Sequence, residues 1–371
     1  MSCDLMSPAT EGVRALQPYQ PGKPVEELQR ELGLDDVIKL ASNENPLGAG
    51  AKAIAAGRDA LAEAERYPDG NGFALKQGLA EQLHVPVECL TLGNGSNDVL
   101  ELLARAFVTP QHEVVFSAHA FAVYPIVTQA VGARAVITPA QDWGHDLPAM
   151  AAAINENTRL VFVANPNNPT GTWVSSKALQ TFLQQVPAHV IVVVDEAYFE
   201  YVDEPSYPDT VPWVARYPNL VVTRTFSKIH GLAALRIGYG VSHPQVADLL
   251  NRVRQPFNVN SVALAAARAA LDDREHVQRS RSTNRAGMDQ LAAAFSRLGL
   301  GFIPSVGNFV SVDVGRPCME VYDGLLRQGV IVRPVANYGM SHYLRVTVGT
   351  EAENQRFIEA LETTLSAASS P

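Results

Sequence analysis

From Leu90 onward, short apolar runs alternate with helical patterns, and this alternation is what most restricts the fold. The strand candidates are Leu90–Leu92, Glu113–Phe116, Arg134–Ile137, Leu160–Ala164, Val190–Val194, Leu220–Thr225 and Arg236–Val241. Helices fit Asp98–Ala106, Tyr124–Val131, Pro148–Ile154 and Ser176–Gln185 between them. Strands separated by helices build a mainly parallel sheet covered on both faces. Val190–Val194 is apolar throughout, as a strand buried on both sides must be. The link from Thr225 to Arg236 is too short for a crossover helix, so Arg236–Val241 is expected to run antiparallel to its predecessor. The expected fold class is α/β: a three-layer sandwich on a mainly parallel seven-stranded sheet, with a smaller α+β domain.

The flanks fit that division. Residues 1–45 are rich in Pro and Gly, with one short helix at Val25–Leu32, and read as an arm that joins the smaller domain. Residues 46–260 form the large domain, opening with helices at Ala49–Ala64 and Phe73–Leu83. Residues 261–371 form the small one. There a long alanine-rich helical stretch from Ser261 to near Leu298 breaks at Asp272-Asp273. Strand patterns return at Asn308–Val314, Val330–Pro334 and Tyr343–Val348, around a helix at Val321–Gln328. The tail Ser366–Pro371 is expected to fray.

Composition excludes more than it selects. A net charge of −9 argues against general binding to nucleic acid or anionic membranes. No apolar run approaches the roughly 20 residues of a membrane span, and the N-terminus lacks a signal-peptide pattern. Cys3, Cys89 and Cys318 make neither a disulfide framework nor a metal-site spacing, which points to a reducing, cytoplasmic setting.

The chemistry gathers at strand ends, where ligands of open α/β sheets sit. Gly93-Asn94-Gly95-Ser96-Asn97-Asp98 follows the first strand and opens a helix, a turn whose free N–H groups suit a phosphate. Asn165-Pro166-Asn167-Asn168-Pro169-Thr170-Gly171 is a fixed turn able to aim an amide. Asp195 ends the most buried strand, where a carboxylate needs a cation; a protonated pyridinium nitrogen would supply one. Thr223-Arg224-Thr225-Phe226-Ser227-Lys228 ends another strand, and Arg236 lies eight residues beyond the lysine. A lysine amine forms a Schiff base with a carbonyl, while hydroxyls, N–H groups and a guanidinium hold phosphate. The combination points to a tethered phosphate-bearing aldehyde, pyridoxal 5'-phosphate. Alone, the lysine and the two turns are more often a surface lysine and plain turns, and Asp195 as often an N-cap; their meeting on one rim carries the inference.

With Val-Asp-Glu-Ala-Tyr at 194–198 and Leu-Arg-Val-Thr-Val-Gly at 344–349, these motifs resemble the fold-type I, aspartate-aminotransferase-like aminotransferases. Tyr19 with Pro21-Gly22-Lys23-Pro24, Asn43-Glu44-Asn45-Pro46 and Arg66-Tyr67-Pro68-Asp69-Gly70 are similar to the subgroup acting on histidinol phosphate. The resemblance covers nearly the whole chain. It implies a reversible amino transfer between histidinol phosphate and 2-oxoglutarate, giving glutamate, within histidine biosynthesis. It implies Lys228 as the Schiff-base lysine, Asp195 on the pyridine nitrogen, and Asn168 and Tyr198 on the ring oxygen. Ser96, Asn97, Thr225, Ser227 and Arg236 would hold the phosphate, with Tyr67 reaching it from the other subunit of a homodimer. Tyr124 would stack on the ring, with a place in the core as an aromatic filler the alternative. Arg345 would take a carboxylate, and Tyr19, Asn43 and Arg333 would complete the substrate site. Ile229-His230 departs from the family pattern and is expected to alter the pocket wall. An aromatic amino acid aminotransferase and a phosphothreonine-type decarboxylase share this machinery and remain alternatives.

Overall fold

The computed structural model describes residues 4–367. Its centre is a seven-stranded sheet. In chain order the strands are β1 (Leu90–Gly93), β2 (Glu113–Ser117), β3 (Arg134–Thr138), β4 (Thr158–Ala164), β5 (Ile191–Asp195), β6 (Leu220–Thr225) and β7 (Gly238–Ser242). Their order across the sheet is β1-β7-β6-β5-β4-β2-β3. All neighbours are parallel except β7, which runs antiparallel to both β1 and β6. The short link before β7 therefore acts as expected.

Strand β5 explains why the sheet sits in the middle. Val192 and Val194 enter one apolar core, with Val161, Val163 and Val222. Ile191 and Val193 enter the other, with Leu160, Phe162 and Val221. Alternation sends successive residues to opposite faces, so a strand covered on both must be apolar at every position. Helices α1 (Ser96–Phe107) and α2 (Val123–Ala130) cover the second face, through residues such as Leu103 and Val127. Helix α3 (Ser261–Leu271) lies on the first, where Ala263, Ala266, Ala267 and Ala270 pack with Ala53 of the helix Ala51–Leu61.

A second core surrounds a four-stranded antiparallel sheet. It contains β8 (Phe302–Ile303), β9 (Phe309–Asp313), β10 (Arg333–Pro334) and β11 (Tyr343–Thr347) in the order β8-β9-β11-β10. Helix α4 (Arg274–Arg297) contributes Leu291 and Phe295, and α5 (Glu351–Ala367) contributes Phe357 and Leu361. Asp273 caps α4 by accepting from His276 N, so the break after α3 stands where two aspartates predicted it.

Three expectations need correction. Val330–Pro334 is two strands: Val330–Ile331 pairs in parallel with Ile38–Lys39 of the arm, while Arg333–Pro334 pairs with β11. Successive residues thus join different sheets, and Pro334 has no N–H to extend either ladder. The strand expected from Arg236 begins at Gly238, because Arg236 adopts left-handed backbone geometry (φ 56°) after a 3-10 turn at Ala233–Leu235. Helix α5 was not anticipated; Ser366 and Ala367 of the expected frayed tail complete it, and 368–371 lie outside the described residues, as does Cys3.

The arm does not stand apart. Leu40 donates its N–H to Ile331 and accepts from Thr347, which joins the arm to the small core. Residues 41–45 then cross into the cleft between the two cores.

Candidate active site

The strand ends meet the arm and the small sheet at a cavity of about 190 Å3. Its walls include Ser96, Asn97, Asn168, Asp195, Tyr198, Thr225, Ser227, Lys228 and Arg236 from the large unit, and Arg333 and Arg345 from the small one. Tyr19 and Asn43 enter from the arm. Of the predicted site residues, only Tyr67 and Tyr124 are missing from this wall.

Lys228 stands where β6 gives way to a turn. Its Nζ donates to the Ser42 carbonyl at 3.1 Å. Burial, and then the nearby Arg345 cation, lower its pKa to about 7. A neutral amine at this position can attack a carbonyl or take a proton, which an ordinary lysine at neutral pH cannot.

Asp195 ends β5. Thr223 Oγ1 donates to its Oδ1 at 2.9 Å and Tyr124 Oη to its Oδ2 at 3.0 Å. Burial raises its pKa, while those two hydrogen bonds pull it down. No arginine or lysine pairs with it among the described residues, so a cationic ring nitrogen would relieve the cost of burial. The next residue, Glu196, is paired outright: Arg224 donates to it through Nε and Nη2. Adjacent acidic residues thus have opposite fates, one neutralised by protein and one directed into the cavity.

The cradle for an anion comes from three strand ends. Helix α1 begins after Gly95, and its first turn has no side-chain cap. A Cβ on Gly95, whose φ is 80°, would lie 2.6 Å from Arg236 Nη2, so the guanidinium closes directly over a bare turn. Thr225 Oγ1 donates to Ser227 Oγ at 3.0 Å on the same wall. Free N–H groups, a helix N-terminus, two hydroxyls and a guanidinium make a site that fits a phosphate.

Tyr124 requires correction. Its ring is fully buried, stacks on Phe162 with centroids 4.5 Å apart, and reaches the site only through the hydroxyl on Asp195. It is the second residue of α2, and its side chain turns into the core. The aromatic residue that the loop after β2 brings to the cavity wall is Phe121, which sequence reasoning missed. Its signal was position: it stands in the loop just after β2, nearer the strand end than Tyr124. Ile229 and His230 also require correction as wall residues. Ile229 is buried behind Tyr198 and Phe309, and His230 packs on Phe226 with centroids 5.0 Å apart; neither reaches the cavity. Asn43 does line it, but its amide is turned to Tyr198 and Thr347. Tyr67 is far out, 82% exposed and stacked on Phe257.

Two guanidiniums face the remaining space. Arg345 is buried, donates to Asn168 Oδ1 and the Ala41 carbonyl, and keeps Nε without a partner. Arg333 donates to the Gln20 carbonyl at 2.6 Å, beside the Tyr19 ring. Neither is in an ion pair with a carboxylate among the described residues.

A lysine, a strand-end carboxylate and an anion cradle at the switch point of a mainly parallel sheet define the fold-type I, pyridoxal-phosphate-dependent transferases. The chain belongs to the class I and II aminotransferases, whose family model matches residues 35–361. It is 64% identical to histidinol-phosphate aminotransferase 2 of Pseudomonas fluorescens, over 98% of this chain and 99% of that one. It is 60% identical to histidinol-phosphate aminotransferase 1 of Nitrosococcus oceani, over 96% of each. Among solved structures, the histidinol-phosphate aminotransferase of Sinorhizobium meliloti, in complex with pyridoxal-5'-phosphate, superposes with a TM-score of 0.91 at 29% identity. That match covers 98% of this chain and 99% of the other.

Proposed function

We propose that this chain is a histidinol-phosphate aminotransferase, moving an amino group reversibly between histidinol phosphate and 2-oxoglutarate with pyridoxal 5'-phosphate as cofactor. The observation that carries this reading is the pair Arg333 and Arg345, two cations without carboxylate partners facing the same cavity as Lys228. A phosphate-bearing amine and a dicarboxylic acid are the two anionic substrates such a pair serves in turn.

When bound, the cofactor supplies an aldehyde that links to amines and a ring that withdraws electrons from the amine-bearing carbon. The protein's residues do the rest. Ser96 and Asn97 N–H groups, Thr225, Ser227 and Arg236 would bind the phosphate. Asp195 would keep the ring nitrogen protonated, and Asn168 and Tyr198 would donate to the ring oxygen. Phe121 would lie against the ring. Lys228 Nζ would carry the cofactor at rest and, once displaced by substrate, take the proton from the substrate Cα; its lowered pKa suits it to that task. Arg345 would fork the α-carboxylate of glutamate, and Arg333 with Tyr19 would hold the substrate phosphate.

The same reading makes the working unit a homodimer in the cytoplasm. Tyr67 and Phe257 form an exposed aromatic pair beside a hollow of about 390 Å3, a surface that a second subunit would cover. Free buried thiols at Cys89 and Cys318 accord with a reducing compartment, and no described helix is long and apolar enough to cross a membrane. The division into an arm (1–45), a large domain (46–260) and a small domain (261–371) belongs to this proposal with one change: the packing of α3 in the larger core favours moving the start of the small domain to the break at Asp272-Asp273.

The test compares kcat/KM for histidinol phosphate and phenylalanine, each with 2-oxoglutarate. Histidinol phosphate should be preferred, and Arg333→Ala should lower its kcat/KM by about 30- to 1000-fold, or ~2–4 kcal/mol, with little effect on phenylalanine. Preference for phenylalanine would favour an aromatic aminotransferase instead, and release of carbon dioxide a decarboxylase.

A further inference from the structure

Asn43 is buried, with 1% exposure, yet it is a non-glycine residue held at φ 55°. Such a conformation is costly for a side-chain-bearing residue, though asparagine tolerates it better than most. Four hydrogen bonds hold it there. Its N–H donates to Thr347 Oγ1 at 2.9 Å, and that hydroxyl donates back to Asn43 Oδ1 at 3.2 Å. Asn308 Nδ2 donates to the Asn43 carbonyl at 3.0 Å. Asn43 Nδ2 donates to Tyr198 Oη at 2.8 Å.

The directions of these bonds matter more than their number. Thr347 Oγ1 already accepts from the Asn43 N–H, so its own hydrogen goes to Asn43 Oδ1, which fixes the amide. Nδ2 must then face Tyr198, and it can only donate. Tyr198 Oη becomes an acceptor on that side, and its own hydrogen has no acceptor among the described residues. The hydroxyl lies on the cavity wall beside Lys228, whose Nζ is 5.6 Å from the Tyr198 ring centre.

From this geometry we infer that Asn43 is a positioning residue, which fixes Tyr198 as a hydrogen-bond donor into the cavity and strengthens that donation toward an anionic ring oxygen. This rests on the reading of the cavity as the cofactor site. A hydroxyl that accepts one hydrogen bond donates the next more strongly. Asn43 therefore acts through Tyr198, stabilises the deprotonated form of the bound cofactor's lysine linkage, and lowers the pH at which its visible absorption changes.

The test titrates the visible absorption of the holoenzyme without substrate. Asn43→Gly removes the amide but suits the positive φ. It should move the midpoint up by about one pH unit, a tenfold change in proton affinity. In a Tyr198→Phe background the same substitution should move it by less than about a fifth of a unit, since residues coupled only through one partner lose their effect when that partner is gone. Thr347→Val, which leaves Asn43 but frees its amide, should shift the midpoint in the same direction by about threefold in affinity; it decides the matter if Asn43→Gly does not fold. An unchanged midpoint in both variants, or an equal shift without Tyr198, would overturn the inference. Wild-type protein that gains no visible band with pyridoxal phosphate would instead remove the cofactor reading beneath it.

Discussion

Arg345 and Asn168 are joined across the cleft by a hydrogen bond of 2.6 Å, from Nη1 of the cation to Oδ1 of the amide. The arginine comes from the small sheet and the asparagine from the turn after β4. Because a guanidinium only donates, the bond fixes the amide, and Asn168 Nδ2 is left to donate elsewhere. The residue that would receive the substrate carboxylate thus orients one that would hold the ring.

Replacing Arg345 should therefore have two effects of different size. Arg345→Ala should lower kcat/KM for glutamate by about 100- to 1000-fold, the cost of a lost buried charge partner. Histidinol phosphate has no carboxylate and should suffer only from the freed Asn168, roughly tenfold for one lost hydrogen bond. Rapid-mixing measurement of the two half-reactions separates the effects. Equal losses would refute the assignment.

The lowered pKa of Lys228 predicts how protein stripped of cofactor recaptures it. Only the neutral amine attacks an aldehyde, and this one loses its proton near pH 7, against 10.5 for an ordinary lysine. The rate of covalent capture should rise about tenfold per pH unit below 7 and level off above it. A rate still climbing at pH 9 would mean that the amine is not desolvated as the structure has it. Lys228→Ala should gain no cofactor mass after borohydride treatment.

Tyr67 gives a test of assembly. Subunits carrying Tyr67→Ala should bind the cofactor weakly, and subunits carrying Lys228→Ala should be inactive. If Tyr67 serves the neighbouring subunit, mixing the two should restore activity in about a quarter of all sites, given random pairing into symmetric dimers. No recovery would place Tyr67 outside the neighbour's site.

How much of this was legible in the chain depended on whether a residue's role followed from strand position. Asp195, Lys228 and Asn168 were readable because the ends of parallel strands share one rim. Phe121 and Tyr124 are hard to tell apart in the chain because one lies in the loop and the other in the first turn of α2 only three residues later, and an apolar run hides where a helix begins. Asn43 reads in the chain as a substrate-site residue and does line the cavity, but only the folded contact with Thr347 reveals where its amide points. Helix α5 was legible and overlooked: Phe357, Ile358 and Leu361 follow Asn354 at helical spacing on one buried face.

The cradle joins Ser96 to Thr225 and Arg236, which lie more than 120 positions further along the chain and meet it only when folded. Inorganic phosphate should therefore raise the thermal midpoint of cofactor-free protein. At 100 times its dissociation constant the gain would be about 2.7 kcal/mol. Arg236→Ala should abolish most of that response while leaving the sheet intact, as followed by scanning calorimetry. A response that survives the substitution would locate the phosphate elsewhere.

The single reversed strand, β7, decides whether such a cradle can exist. It enters the sheet at the rim where β1 and β6 leave it, so Arg236 arrives among their tips. A strand of the same five residues running the other way would begin about 16 Å off, on the opposite rim. The anion site would not survive a topology in which every strand pointed the same way.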